Sequence, residues 1–164
     1  PEQKVIAAFS YSYPLDVLIK QFKYKQRLRL VSPLAKILSA RIQSLSATLP
    51  EVMVAVPLHP HRLFTRGFNQ SQQICRVLSR SLPIFTDADL VIRTRNTLPM
   101  YDLEAEQRRD NIEGAFRLVK QCRYKSLAIV DDIITSCSTM NELARLFHNA
   151  GVEEIQYWAL ARAD

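Results

Sequence analysis

The chain has 164 residues, 48% of them apolar, with a formal charge of +6, and that length suffices for one sizeable apolar core without metals or disulfides. The composition excludes disordered and fibrous architectures, no apolar run reaches the roughly 18 residues of a membrane span, and no basic stretch followed by an apolar signal core opens the chain, so a soluble, cytoplasmic protein is expected. Cys75, Cys122 and Cys137 are odd in number, far apart and outside any CxxC pair, which argues against a disulfide framework and against a zinc site.

The first residue is Pro1 rather than methionine, as in a processed chain or part of a longer one. Val5 to Tyr11 reads as a short extended segment. A helix is expected after it, with Pro14 in its first turn and Leu15, Leu18, Ile19 and Phe22 on one face. The basic run Lys20, Lys23, Lys25, Arg27 and Arg29 trails that helix. Residues 1–80 carry twelve Lys/Arg against three acidic residues, and 81–164 carry ten against thirteen. Such a basic half suits polyphosphate, nucleic acid or an acidic partner, and equally a plain solvated surface. With Phe22 and Tyr24 interleaved, the run is also a candidate for tracking single-stranded DNA by charge and stacking. Ser32-Pro33 predicts an N-cap followed by Pro at the first helical position, with Leu34, Ile37, Leu38, Ile42 and Leu45 at helical spacing and an end near Leu49-Pro50.

Val52 to Val56 is a continuous apolar, β-branched run ended by Pro57, the pattern of a strand covered on both faces of a parallel sheet. A polar stretch over 57–67 precedes a helix from about Asn69 to Leu82. Leu90 to Ile92 is a weak strand, and Arg93 to Asn111 is polar, long and partly helical, a functional loop by length. Leu127 to Val130 is a second covered strand that runs into Asp131-Asp132. Met140, Leu143, Ala144, Leu146 and Phe147 give another helix with Gly151 at its C-terminal cap, and Ile155 to Leu160 is a last strand. Strands alternating with helices imply an α/β domain whose twisted sheet is mainly parallel.

Chemistry concentrates after the Leu127–Val130 strand. In open parallel sheets ligands bind beyond the carboxyl ends of strands, where loops enter helix N-termini. Thr135, Ser136, Cys137, Ser138 and Thr139 offer four hydroxyls and a row of backbone N–H groups that suit a phosphate. Ser138 or Thr139 would at the same time serve as an N-cap. Asp131 and Asp132 would repel that phosphate and are better placed to accept from sugar hydroxyls or to organise a cation. His59 and His61 lack a third ligand for a metal. A nucleophilic role for Cys137 lacks a base nearby in sequence.

LAIVDDIITSCSTM resembles the PRPP-binding signature of type I phosphoribosyltransferases. With FSYSYPLDVLIKQFKYKQR, VAVPLHPHRLFTRGFNQS, RTRNTLPMYDLEAEQRRDNIEGAF and the C-terminal LARA, the chain resembles the ComF/GntX-like competence and DNA-utilisation proteins over nearly its whole length. The resemblance implies a single phosphoribosyltransferase-like domain over 1–164, with a hood-like N-terminal part over 1–50 and an α/β core over 51–164, and lacking the family's zinc ribbon. It also implies that Asp131 and Asp132 face ribose hydroxyls in the catalytic site and that 135–139 cradle the 5′-phosphate. Pro57, Leu58 and His59 would form the pyrophosphate-side loop, and Arg66, Gly67, Phe68, Asn69 and Gln70 match the family's RGFNQ. In the flexible loop Arg108 and Asn111 match, as do Ala115 and Phe116, whereas Met100 replaces a glutamine. Cys137 replaces a glycine, and its Cβ resists the φ > 0 geometry that glycine permits. The implied ligands are PRPP or a nucleotide, with Mg2+ carried by PRPP or pyrophosphate and no metal held directly by the protein. The alternative implied role is a degenerate module that binds single-stranded DNA or docks a competence helicase or uptake protein.

Overall fold

The computed structural model describes residues 3–24, 27–45, 48–98 and 103–163. In chain order these form β1 (Lys4–Ser10), α1 (Leu15–Tyr24), a 3-10 turn (Leu28–Leu30), α2 (Val31–Leu45), β2 (Val52–Ala55), α3 (Pro60–Arg66) and α4 (Gln70–Ser81). Then come β3 (Phe85–Thr86), β4 (Val91–Arg93), α5 (Ala105–Ile112), β5 (Phe116–Leu118), β6 (Ser126–Ile134), α6 (Ser138–Asn149) and β7 (Glu154–Arg162). Five strands make one all-parallel sheet in the order β1-β7-β6-β2-β3, and β4 and β5 form a separate antiparallel ribbon.

The covered strands are apolar on both faces because helices lie on both. Met53 and Ala55 of β2, Ala128 and Val130 of β6, and Trp158 and Leu160 of β7 meet Ile19, Phe22, Leu38, Ile42, Ile74 and Leu78 from α1, α2 and α4. The alternate residues Val52, Val54, Leu127, Ile129, Ile155 and Tyr157 meet Met140, Leu143 and Phe147 of α6 and Leu90, Ile112 and Phe116 beside the ribbon. Neighbours one apart in a strand thereby fill two different cores.

Several expectations are corrected. The acid pair does not end a strand, because β6 continues through it to Ile134, with Asp131 opposite Ala159 and Ile133 opposite Ala161 in β7. β7 is equally long and supplies the ladder partners that keep the acidic residues extended. The helix expected to start after Ser32 begins at Val31, because the 3-10 turn leads straight into it, and Pro33 is accommodated in a first turn whose N–H groups have no intrahelical partner. Its described residues run to Leu45, whose carbonyl accepts from Lys4 Nζ at 2.6 Å. The polar 57–67 stretch contains α3. No boundary of the sheet falls at residue 50: β1 is its edge strand, paired with β7, and Ile6 lies in the same core as Met53.

Candidate functional site

All five strands point the same way, so the segments that leave their carboxyl ends gather along one edge of the sheet. Val56 N–H donates to Val130 O at 2.9 Å, Tyr11 N–H to Arg162 O at 2.7 Å and Ala163 N–H to Ile134 O at 2.8 Å. Over that edge lies a cleft of about 1130 Å3 lined by Tyr11, Val56, Leu58, residues of α1, α3 and α4, Arg93, the 96–98 segment, Arg108 and the whole of 131–140.

Asp131 and Asp132 are held as acceptors by the first two residues of α4. Ser71 Oγ donates to Asp131 Oδ1 at 2.9 Å and Gln70 Nε2 to Asp132 Oδ2 at 3.4 Å. Each carboxylate also accepts from the backbone N–H that follows it, Asp132 N and Ile133 N, at 2.8 Å. Asp132 is buried and Asp131 half-buried. An oxygen that receives a hydroxyl or amide donor stays a hydrogen-bond acceptor, which is what a sugar hydroxyl requires.

The RGFNQ segment explains how α4 reaches that position. Arg66 ends α3, and Gly67 takes φ 85°, a left-handed conformation that closes the helix with Gly67 N–H on Leu63 O. Phe68 is buried against Phe22, their ring centroids 5.8 Å apart. Asn69 caps α4, its Oδ1 accepting from Ser71 N at 2.9 Å and Gln72 N at 3.2 Å, while its Nδ2 donates to Val56 O at 3.0 Å. A single side chain therefore fixes the start of α4 to the end of β2, which sets Gln70 and Ser71 beside the acid pair.

Residues 135–139 all line the cleft. The N-cap of α6 is Cys137, not Ser138 or Thr139; it sits at φ 58°, ψ 2° and makes no side-chain cap bond. The first N–H groups of α6 are thus not covered by a capping side chain, and Ser136 Oγ and Ser138 Oγ lie 2.9 Å apart beside them. The geometry suits an anion. Cys137 adopts a left-handed conformation that glycine takes without strain, at a cost of about 1–2 kcal/mol for an L-residue.

Other residues singled out from the sequence fall in different places. Leu58, His61 and Arg62 line the cleft, Pro57 is half-buried, and His59 caps α3, its Nδ1 accepting from His61 N–H at 3.2 Å. Arg66 and Arg108 line the cleft as well. Asn111 clamps the 93–111 stretch: its side-chain amide accepts from Leu98 N–H and donates to Leu98 O, each at 3.0 Å. Of the basic run, Lys20 reaches the cleft, Arg27 donates to Gln21 Oε1 at 2.9 Å and Arg29 is exposed. Lys25, Met100 and the side chain of Lys23 lie outside the described residues. Sequence reasoning assigned no role to Ser71, Arg62, Arg93 or Thr97, although each lies in a segment that carries the family resemblance.

No protein-family model matches the chain. Among solved structures, adenine phosphoribosyltransferase from Leishmania tarentolae matches with a TM-score of 0.45 at 13% identity, over 82% of this chain and 58% of that one. Hypoxanthine phosphoribosyltransferase from Trypanosoma cruzi, in complex with the product IMP, matches with a TM-score of 0.41 at 13% identity, over 82% of this chain and 65% of that one. Among curated proteins, competence protein F of Haemophilus influenzae is 37% identical over 98% of this chain and 73% of its own length. The DNA utilization protein YhgH of Escherichia coli K12 is 37% identical over 99% of this chain and 73% of its own, and competence protein ComFC of Streptococcus pneumoniae is 24% identical over 95% and 67%. With 37% identity along nearly its full length to relatives of which it covers 73%, the chain belongs to the family of competence protein F and the DNA utilization protein YhgH.

Proposed function

We propose that the cleft binds PRPP or a related nucleotide, and that the chain serves DNA uptake or the use of DNA-derived nucleotides, as the names of its relatives suggest. The observation that carries this reading is the pairing of two carboxylates, held as acceptors by Gln70 and Ser71, with an uncapped helix N-terminus a few residues on. In this reading the ribose hydroxyls donate to Asp131 and Asp132, and the 5′-phosphate accepts from the N–H groups and hydroxyls of 135–139. Pro57 to His59, with Arg62 and Arg66 of α3, flank the diphosphate. Holding both ends of the ligand fixes C1 between them, and a positioned base would displace the diphosphate as positive charge develops on the ribose.

In this reading Mg2+, an ion that keeps several waters and binds substrate phosphates, would enter on the phosphates of PRPP or its diphosphate, without direct ligation by the protein. Bound there, Mg2+ would screen the negative charge of the leaving diphosphate. A second reading, binding of single-stranded DNA, is favoured by the cationic side chains of Lys20, Arg62, Arg66, Arg93 and Arg108 in the cleft. It requires affinity that falls steeply with salt.

Calorimetric titration of PRPP with Mg2+ into the wild-type protein and Asp132→Asn tests the first reading. We expect binding to the wild type and at least ten-fold weaker binding to the variant, with an unchanged melting temperature. Equal affinity for both would remove the acid pair from the site.

A further inference from the structure

Among the described residues that line the cleft, five are Lys or Arg and two are carboxylates. Arg93, the last residue of β4, is one of the five cations. It is 7% exposed, its guanidinium lies 5.4 Å from the centre of the Phe116 ring, its Nη2 donates to Thr97 Oγ1, and its Nε is buried with no hydrogen-bond partner. Burial, and after it the charges of Arg62 and Arg95, pull its pKa down to about 10 against the opposing influence of Asp131, so it remains a cation at neutral pH. A buried cation whose partners are a hydroxyl and a ring face is under-compensated.

Thr97 holds the second cleft guanidinium too, its main-chain oxygen accepting from Arg62 Nη2. Thr97 is itself 7% exposed. The segment it belongs to is closed on the far side by the Asn111 clamp on Leu98 and by Arg95, which donates to Asn111 O at 2.9 Å and Glu113 O at 2.7 Å. Thr97 therefore ties two cleft cations to the start of the 94–111 excursion through neutral acceptors.

We propose that Arg93 is an anion-binding residue held in reserve by Thr97, and that a diphosphate entering the cleft takes its guanidinium from the Thr97 hydroxyl. The exchange replaces a neutral hydrogen bond by a charge-assisted, two-pronged one, which is about twice as strong per bond. Occupancy of the cleft is thereby coupled to release of the 94–98 segment, and by reciprocity removal of the Thr97 hydroxyl tightens the anion. The inference rests on the PRPP reading for the identity of the diphosphate, and it does not involve the 135–139 loop.

The probe is inorganic pyrophosphate, titrated at fixed salt into the wild type, Thr97→Val, Thr97→Ser and Arg93→Met. Thr97→Val, which keeps the shape and loses the hydroxyl, should bind roughly five-fold tighter, the worth of one neutral hydrogen bond. Thr97→Ser should restore wild-type affinity, and Arg93→Met should lose at least ten-fold. Unchanged or weaker binding by Thr97→Val with a wild-type melting temperature overturns the proposal. In the wild type alone, pyrophosphate should speed hydrogen exchange at the Leu98 amide, and should Thr97→Val not fold, slower or unchanged exchange there overturns it equally. If PRPP does not bind while pyrophosphate behaves as expected, the phosphoribosyl reading fails and this one stands; if PRPP binds but Thr97→Val leaves pyrophosphate affinity unmoved, the reverse holds.

Discussion

Cys137 combines two demands that glycine would meet without conflict. It must take φ 58° to turn the chain from β6 into α6, and its main-chain oxygen must accept from Asn141 N–H at 2.7 Å to begin the helix. Its Cβ makes that conformation unfavourable by about 1–2 kcal/mol, whereas glycine gains conformational freedom when unfolded worth about 0.5–1 kcal/mol. The side chain is half-buried and packs at the margin of the α6 core, so some contact is lost on truncation. We expect Cys137→Gly to raise the melting temperature by about 2 °C, the shift that somewhat under 1 kcal/mol produces in a domain of this size. It should also tighten PRPP by letting the ligand's phosphate approach the backbone. A lower melting temperature would mean that the thiol's packing outweighs the backbone strain.

Among the elements, α4 decides the geometry of the acid pair, and Asn69 decides the place of α4. Asn69→Ala removes the acceptor for Ser71 N and Gln72 N and leaves the buried Val56 carbonyl without this donor, a loss of about 1–2 kcal/mol. Asn69→Asp keeps the cap but cannot donate to Val56 O. Denaturant unfolding should rank the wild type above Asn69→Asp and Asn69→Ala last, and PRPP affinity should follow the same order if α4 positions Asp131 and Asp132 through Ser71 and Gln70. Affinity that ignores the ranking would show that the carboxylates hold their orientation through β6 alone.

For the molecule as a whole, a pH-sensitive tie lies at the edge of the sheet away from β1. Asp87, 8% exposed just after β3, accepts from Lys120 Nζ at 2.9 Å, Tyr124 OH at 2.9 Å and Asp89 N–H at 3.3 Å, and its own N–H donates to Met53 O at 3.0 Å. Burial alone would raise this carboxyl, but the hydrogen bonds from Lys120 and Tyr124, then that from Asp89 N–H and the Lys120 charge, hold it below the ordinary range. A carboxyl with a lowered folded-state pKa stabilises the fold above its unfolded value of about 3.9, and the contribution disappears as pH falls through the folded value. The melting temperatures of the wild type and Asp87→Asn should therefore differ most at neutral pH and converge below about pH 4. A gap that does not change with pH would assign the stabilisation to shape instead of charge.

The α/β class and the main strands follow from the order of residues alone, because Val52–Val56 and Leu127–Val130 are apolar without alternation, and only helices on both sheet faces satisfy that pattern. Apolar spacing likewise marked α4 and α6, and the acid pair and hydroxyl loop stood out by their order. RGFNQ was legible as a motif, but not as the joint it is, with a left-handed glycine, a core phenylalanine, a cap and a carboxylate partner in succession. The ends of β6 and the place of β1 were not legible, since ladder partners from β7, not local propensity, keep Asp131 and Asp132 extended and make β1 an edge of the same sheet. Ser71, Arg62, Arg93 and Thr97 reach the cleft through packing between distant segments. Their contacts span tens of residues or depend on burial, and a guanidinium becomes a site only when neighbouring charge and exclusion from water make its partners matter.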